Sequence, residues 1–77
     1  MNVQSAECNG FLVRFIEGPR GELFLNTKDV CGVLGITEHI PGGVLDRSSL
    51  DLASAVNVAM SHGDETFSEW LLAKFAG

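Results

Sequence analysis

The fifteen residues Glu22–Ile36, ELFLNTKDVCGVLGI, constrain the fold more than any other stretch of this chain. The apolar run LFL predicts the end of a β-strand, and Asn26 follows it as a good N-cap for a helix. Asp29 stands three residues after Asn26, in the first turn of the predicted helix. There its carboxylate can interact favourably with the unpaired N–H groups and with the positive end of the helix dipole. Gly35 can adopt the left-handed conformation that ends a helix. This stretch therefore predicts a strand, a helix of about two turns and a stop.

The residues before this stretch predict a β-hairpin. Phe11–Glu17 is rich in β-branched and aromatic residues that alternate along the chain, as in a strand. Gly18–Gly21, GPRG, has the composition of a turn, and residues 22–25 return as the second strand. Residues 1–9 are polar and are predicted to be a loose lead-in, either free along its length or joined to the sheet near its end.

The second half of the chain predicts two more helices. Residues 48–51, SSLD, are expected to open the first of them with a serine cap, and residues 61–63, SHG, to end it. Residues 66–69, TFSE, match a capping box and predict a further helix to about Phe75. The whole order predicts one small α+β domain over residues 1–77, an N-terminal β-hairpin followed by three short helices.

The charge balance limits the function classes. Ten acidic residues against five basic ones give a net charge of −5, which argues against non-specific nucleic-acid binding. A local basic face would have to be built from a small supply: Arg14, Arg20, Lys28, Arg47 and Lys74. A chain this short buries only about 60–65% of its unfolded surface, so a homodimer with a shared core would relieve a thin margin. Whether one forms is left open.

The N-terminal sequence has neither the basic region nor the apolar region of a signal peptide, and no apolar run reaches the length of a membrane span. Two cysteines are too few for a disulfide scaffold. We expect a cytoplasmic protein with reduced thiols.

Residues that could carry chemistry are few and poorly spaced. Cys8, Cys31, His39 and His62 lack the paired spacings of a structural zinc site. The Gly42–Gly43 pair, which follows Pro41 in a predicted loop, has no phosphate-loop Lys, Ser or Thr after it. A short chain also offers little room for a base, an orienting group and an oxyanion pocket. We therefore expect no catalytic residue, no metal and no cofactor.

Trp70 is open to two interpretations. It shares a helical stripe with Phe67 and Phe75, which favours a place in the core. An exposed Trp would instead suit a partner contact, since Trp is enriched where binding energy concentrates.

The start and the end of the chain resemble the Bro-N domain of phage antirepressor-like proteins and baculovirus repeated-ORF proteins. That family begins with a strand of the kind F-x-V-R-V, a turn with Gly and a strand with an aromatic residue. It continues with A-K-D-V-x-x-x-L-G and closes with F-x-x-W-[VL]. The residues that match, in order and at compatible spacing, are Val13-Arg14-Phe15, Gly21, Phe24, Lys28-Asp29-Val30, Leu34, Gly35, Phe67, Trp70 and Leu71.

The resemblance implies a small α+β domain of phage or prophage origin, acting by DNA or protein binding in transcriptional control. This chain would be a shortened, stand-alone member, since the middle segment is reduced to 36–47. Residues 61–64, SHGD, are acidic where the family usually has a basic turn. If DNA is bound, Arg14, Arg20 and Lys28 are the expected phosphate contacts. The alternative is an acidic protein-interaction module, a DNA mimic or inhibitor from a mobile element, with no DNA binding of its own.

Overall fold

The structure, a computed structural model, describes residues 2–36, 45 and 47–76. These residues form one antiparallel sheet of four strands in chain order, β1-β2-β3-β4, and three α-helices. The elements are β1 Gln4–Cys8, β2 Phe11–Glu17, β3 Leu23–Asn26, α1 Thr27–Leu34, β4 Ser49–Asp51, α2 Leu52–Ser61 and α3 Glu65–Leu71, followed by a π-helical turn at Leu72–Ala76. The predicted α+β class is confirmed.

The predicted hairpin is confirmed as β2 and β3, and one further strand flanks it on each side. The prediction of a loose lead-in over residues 1–9 is wrong for the part that forms β1. This strand pairs with β2 along its whole length, from Gln4 opposite Phe15 to Cys8 opposite Phe11. Ala6 and Cys8 are buried while their neighbours are exposed, which is the alternation of a half-buried strand. Two small residues made that alternation hard to recognise.

The second correction concerns the start of α2. Ser49–Asp51 forms β4 instead of a helix start, with Leu50 paired to Leu25 of β3. Leu50 is 1% exposed, so pairing buries a side chain that a helix starting at Ser48 would place differently. The N-cap is Asp51, whose Oδ1 accepts a hydrogen bond from the Ser54 N–H at 2.9 Å. The predicted end of the helix is confirmed, with His62 as the C-cap residue.

The capping box predicted at residues 66–69 is also wrong. α3 begins at Glu65, and its N-cap is Asp64, whose Oδ1 accepts a hydrogen bond from the Phe67 N–H at 2.9 Å. Thr66 therefore lies inside the first turn. Phe67 and Leu71 turn into the core as the stripe predicted.

The core lies on one face of the sheet, between the strands and the helices. Its fully buried large side chains are Val13, Leu25, Val30, Leu50, Phe67 and Leu71. An aromatic cluster extends it, with the ring centroids of Phe15 and Phe75 5.0 Å apart. The strands are therefore covered on this face and more open on the other.

The predicted loop at 41–43 lies outside the described residues. Among the residues that are described, no helix combines the length and apolar character that a membrane crossing requires.

Candidate functional site

A groove opens at the corner where β3 becomes α1. Asn26 caps the helix as predicted, because its Oδ1 accepts a hydrogen bond from the Asp29 N–H at 3.1 Å. Gly35 ends the helix with a φ of 71°. The Thr27 N–H donates to the carbonyl oxygen of Ser48 at 3.2 Å, which ties the start of α1 to the segment before β4. The groove between these segments has a volume of about 730 Å³, within the range of ligand-binding clefts.

The lining of the groove joins basic, polar and apolar side chains. None of its described lining residues is acidic, although the chain has twice as many acidic as basic residues. The basic members are Arg14, Lys28 and Arg47, the polar ones Asn26, Thr27 and Ser48, and the remainder Cys31, Gly32, Ile36 and Leu45. The arrangement suits a ligand that carries negative charge and some apolar or aromatic surface.

Three of the five basic residues of the chain therefore meet in one groove. Arg14 and Lys28 were predicted as phosphate contacts, and the fold brings them together. Arg20, the third predicted contact, lies in the exposed turn between β2 and β3 and does not line the groove. Arg47 was not predicted, because it is distant from Lys28 in the chain and reaches the groove through the Thr27–Ser48 hydrogen bond.

The three basic groups are not electrically equivalent. Arg14 forms an ion pair with Asp29, with Nε 2.8 Å from Oδ2 and Nη2 3.1 Å from Oδ1. Hydrogen bonds from Arg14 hold the pKa of the Asp29 carboxyl below its usual range, so the carboxyl stays charged. Asp29 in turn raises the pKa of Arg14. Within the described part of the chain, Lys28 and Arg47 make no ion pair, although, next to the hydrogen bonds from Ser54, the charge of Arg47 helps to lower the pKa of Asp51.

Thr27 adds a buried hydroxyl group to the lining of the groove. Its side chain is buried, and Oγ1 has no hydrogen-bond partner among the described residues. Buried hydroxyls are normally satisfied, by protein or by ordered water. A water or a ligand oxygen that reached this hydroxyl would satisfy it.

The thiols are not arranged for nucleophilic chemistry. Burial raises the pKa of Cys31, and burial together with Asp64 raises the pKa of Cys8. Both thiols are therefore protonated at neutral pH, whereas nucleophilic attack needs a thiolate. Among the described residues, no three His, Cys, Asp or Glu side chains are grouped as metal ligands; His39 lies outside that part of the chain.

Trp70 belongs to the aromatic cluster. Its ring stacks on Phe67 with centroids 5.9 Å apart and meets Phe75 edge-on at 5.8 Å. The side chain is half-buried and packs against the core. This supports the core interpretation and leaves only part of the ring for a partner.

Comparisons with known proteins give no relative. No family model, no curated protein and no solved structure matches this chain significantly. The resemblance to the Bro-N domain therefore rests on the sequence motifs alone.

Proposed function

We propose that this protein is a small regulatory module that binds DNA through the groove at the start of α1. The observation that carries the proposal is the convergence of Arg14, Lys28 and Arg47 on one groove whose described lining residues include no acidic side chain, in a chain of net charge −5. The Bro-N resemblance supplies the biological setting, transcriptional control in a phage or prophage.

The charge distribution predicts a particular mode of binding. Phosphate contacts dominate DNA affinity, and each neutralised phosphate adds about 0.9 to the slope of log K against log salt concentration. With Lys28 and Arg47, which make no ion pair among the described residues, as the two phosphate contacts, the expected slope is about −2. The excess of acid elsewhere repels the DNA backbone from other surfaces, so it orients the duplex toward the groove. Binding is therefore weak, shallow in its salt dependence and confined to one face.

The apolar part of the groove gives a role beyond charge. Ile36 and Leu45 line it beside the basic residues, and apolar groups contact sugars and base edges where cations contact phosphates. Enzymatic chemistry has less support, because the two thiols are held protonated.

The test is a fluorescence-anisotropy titration of a labelled mixed-sequence duplex at low salt. The double variant Lys28→Ala/Arg47→Ala is expected to weaken binding by tenfold or more, since roughly two phosphate contacts are lost, and to flatten the salt slope to about zero. Lys74→Ala is the matched control, because Lys74 is an exposed residue of the π-helical turn outside the groove. Its affinity should change less than about twofold, since it removes no groove contact.

Two results would overturn the proposal: no binding of any duplex from a randomised pool at low salt, or an equal loss of affinity in Lys74→Ala. The acidic interaction module is then the better function. It is supported by the acid excess and by two exposed apolar side chains, Val3 and Leu12. As a DNA mimic, the protein is expected to displace DNA from a basic DNA-binding protein in a salt-sensitive manner.

A further inference from the structure

The two edges of the sheet are treated differently. β4 forms one edge with only three residues and ends at the N-cap of α2. β1 forms the other edge with five residues, and within the described part of the chain it is paired with β2 alone. Among the described residues, the β1 edge therefore offers a longer row of backbone groups than the β4 edge.

The hydrogen bonds of β2 show which groups β1 presents. The Arg14 N–H donates to Asp29 at 2.9 Å and the Gly18 N–H donates to the carbonyl oxygen of Glu22, so both point away from β1. Ser5 is paired opposite Arg14. Because the Arg14 N–H points away from β1, this is a non-hydrogen-bonded pair, in which the backbone N–H and C=O groups of both residues point away from the partner strand. Since orientation alternates along a strand, Ser5 and Glu7 both direct their N–H and C=O groups to the open edge.

Among the described residues, this edge lacks three of the usual protections against strand pairing: a lysine, a proline and a bulge. Natural edge strands carry Lys, Pro or a bulge, or are very short. β1, with the sequence QSAEC, has neither Lys nor Pro, and its five consecutive pairs with β2 leave no bulge. Three large apolar side chains are exposed beside it, Val3 at 67%, Leu12 at 63% and Phe11 at 48%.

We propose that β1 pairs antiparallel with β1 of a second copy of this chain, about a twofold axis at Ala6, so that the two sheets become one. Ser5 of each copy then lies opposite Glu7 of the second copy, and both residues already point their backbone groups outward. The two pairs exchange about four backbone hydrogen bonds.

The sequence of β1 is compatible with pairing to itself in this register. Glu7 is the one charged residue of β1, and here it opposes a serine in both directions. A register centred on Glu7 would set two carboxylates against each other, and like charges directly opposite are destabilising. The small Ala6 side chains meet at the axis without crowding. The patch is thus complementary to itself, as a twofold interface must be.

The pairing has a consequence that rests on the proposed function. A twofold dimer presents two copies of the groove with opposite polarity, which is the arrangement that reads palindromic DNA half-sites. The pairing itself does not depend on DNA binding, so the two proposals can fail separately.

The test is the dimer dissociation constant from sedimentation equilibrium of the full chain at low salt. Ser5→Lys places a cation opposite Glu7 and is expected to tighten the dimer, and Ser5→Glu to weaken it. Each variant should change the dissociation constant roughly two- to thirtyfold, because a charged cross-strand pair contributes about 0.2–1 kcal/mol and occurs twice in the dimer. Asn57→Lys and Asn57→Glu, at an exposed position of α2, match these changes in net charge and should leave the constant within about twofold, since surface charges away from the contact contribute little. At 1 M salt the difference between the two Ser5 variants should largely disappear.

A backbone variant tests the geometry. Ser5→Pro removes one outward N–H but none that is directed to β2, and Pro is tolerated on edge strands. The Ser5→Pro variant should be folded, as judged by an unchanged circular-dichroism spectrum, and monomeric, as judged by sedimentation equilibrium. A wild-type chain that stays monomeric at hundreds of micromolar, or a dimer that responds equally to Ser5 and Asn57 variants, would refute the proposal. So would a folded Ser5→Pro variant that still dimerises with wild-type affinity.

Discussion

The Asp29 carboxylate accepts three hydrogen bonds from Arg14, one of them from the backbone N–H. That N–H lies one position beyond the last pair between β2 and β3, Phe15 opposite Leu25. Asp29 therefore takes the place of the strand partner that β2 loses when the chain turns into α1. The expected role of Asp29 at the helix dipole is joined by this second one, which fixes the helix to the sheet.

The first prediction concerns acid stability. The pKa of Asp29 is lower in the folded protein than in the unfolded chain, mainly through hydrogen bonds from Arg14. The stabilisation that the Asp29 carboxylate gives the folded protein is therefore present above the unfolded pKa of about 4. It is lost as the pH falls through the lower pKa of the folded protein. Asp29→Asn should lower the free energy of unfolding at pH 7 by about 1–2 kcal/mol and make it less dependent on pH in acid.

Urea unfolding at several pH values checks this. The pKa of Asp51 is also lowered, first by its hydrogen bond with Ser54, so some acid dependence should remain in Asp29→Asn. Parallel pH profiles for wild type and variant would contradict the role given to Asp29.

The second prediction concerns the start of α3. Asp64→Ala removes the acceptor of the Phe67 N–H and should cost about 1 kcal/mol of unfolding free energy. Thr66→Ala changes an exposed residue inside the first turn and should stay within about 0.5 kcal/mol. A larger loss for Thr66→Ala than for Asp64→Ala would restore the capping box and refute the observed cap.

The third prediction separates the two faces of the sheet. Leu25 is fully buried between the strands and helices, so Leu25→Ala should cost about 2–5 kcal/mol through lost contacts and a cavity. Leu12 carries the same side chain but is exposed, and Leu12→Ala should stay within about 0.5 kcal/mol. Thermal unfolding of the two variants at the same protein concentration compares them. Similar losses at both positions would mean that the open face is covered.

The confirmed parts of the sequence analysis are those whose signals are local. Asn26 and Gly35 bound α1 as predicted, because a cap and a left-handed stop depend on hydrogen bonds to residues a few positions away. The caps of α2 and α3 were misplaced because several residues of suitable type stand close together. Burial of Leu50 against Leu25 decided between Ser48 and Asp51.

The candidate site divides in the same way. Lys28 and Arg14 could be named from the sequence, since both are among its few basic residues and stand in the motifs that resemble the Bro-N domain. Arg47 could not, because a hydrogen bond between Thr27 and Ser48 brings it to the groove from another segment.

The sequence by itself determined the α+β class, the hairpin and the strand–helix corner, because turns, caps and alternation act over a few residues. Only the tertiary structure decided that β1 and β4 extend the sheet and that three basic residues share a groove. It also decided that the Asp29 carboxylate accepts hydrogen bonds from Arg14. Each of these depends on pairing between distant segments, and the energy of such pairing comes from burial and backbone hydrogen bonds that no local pattern specifies.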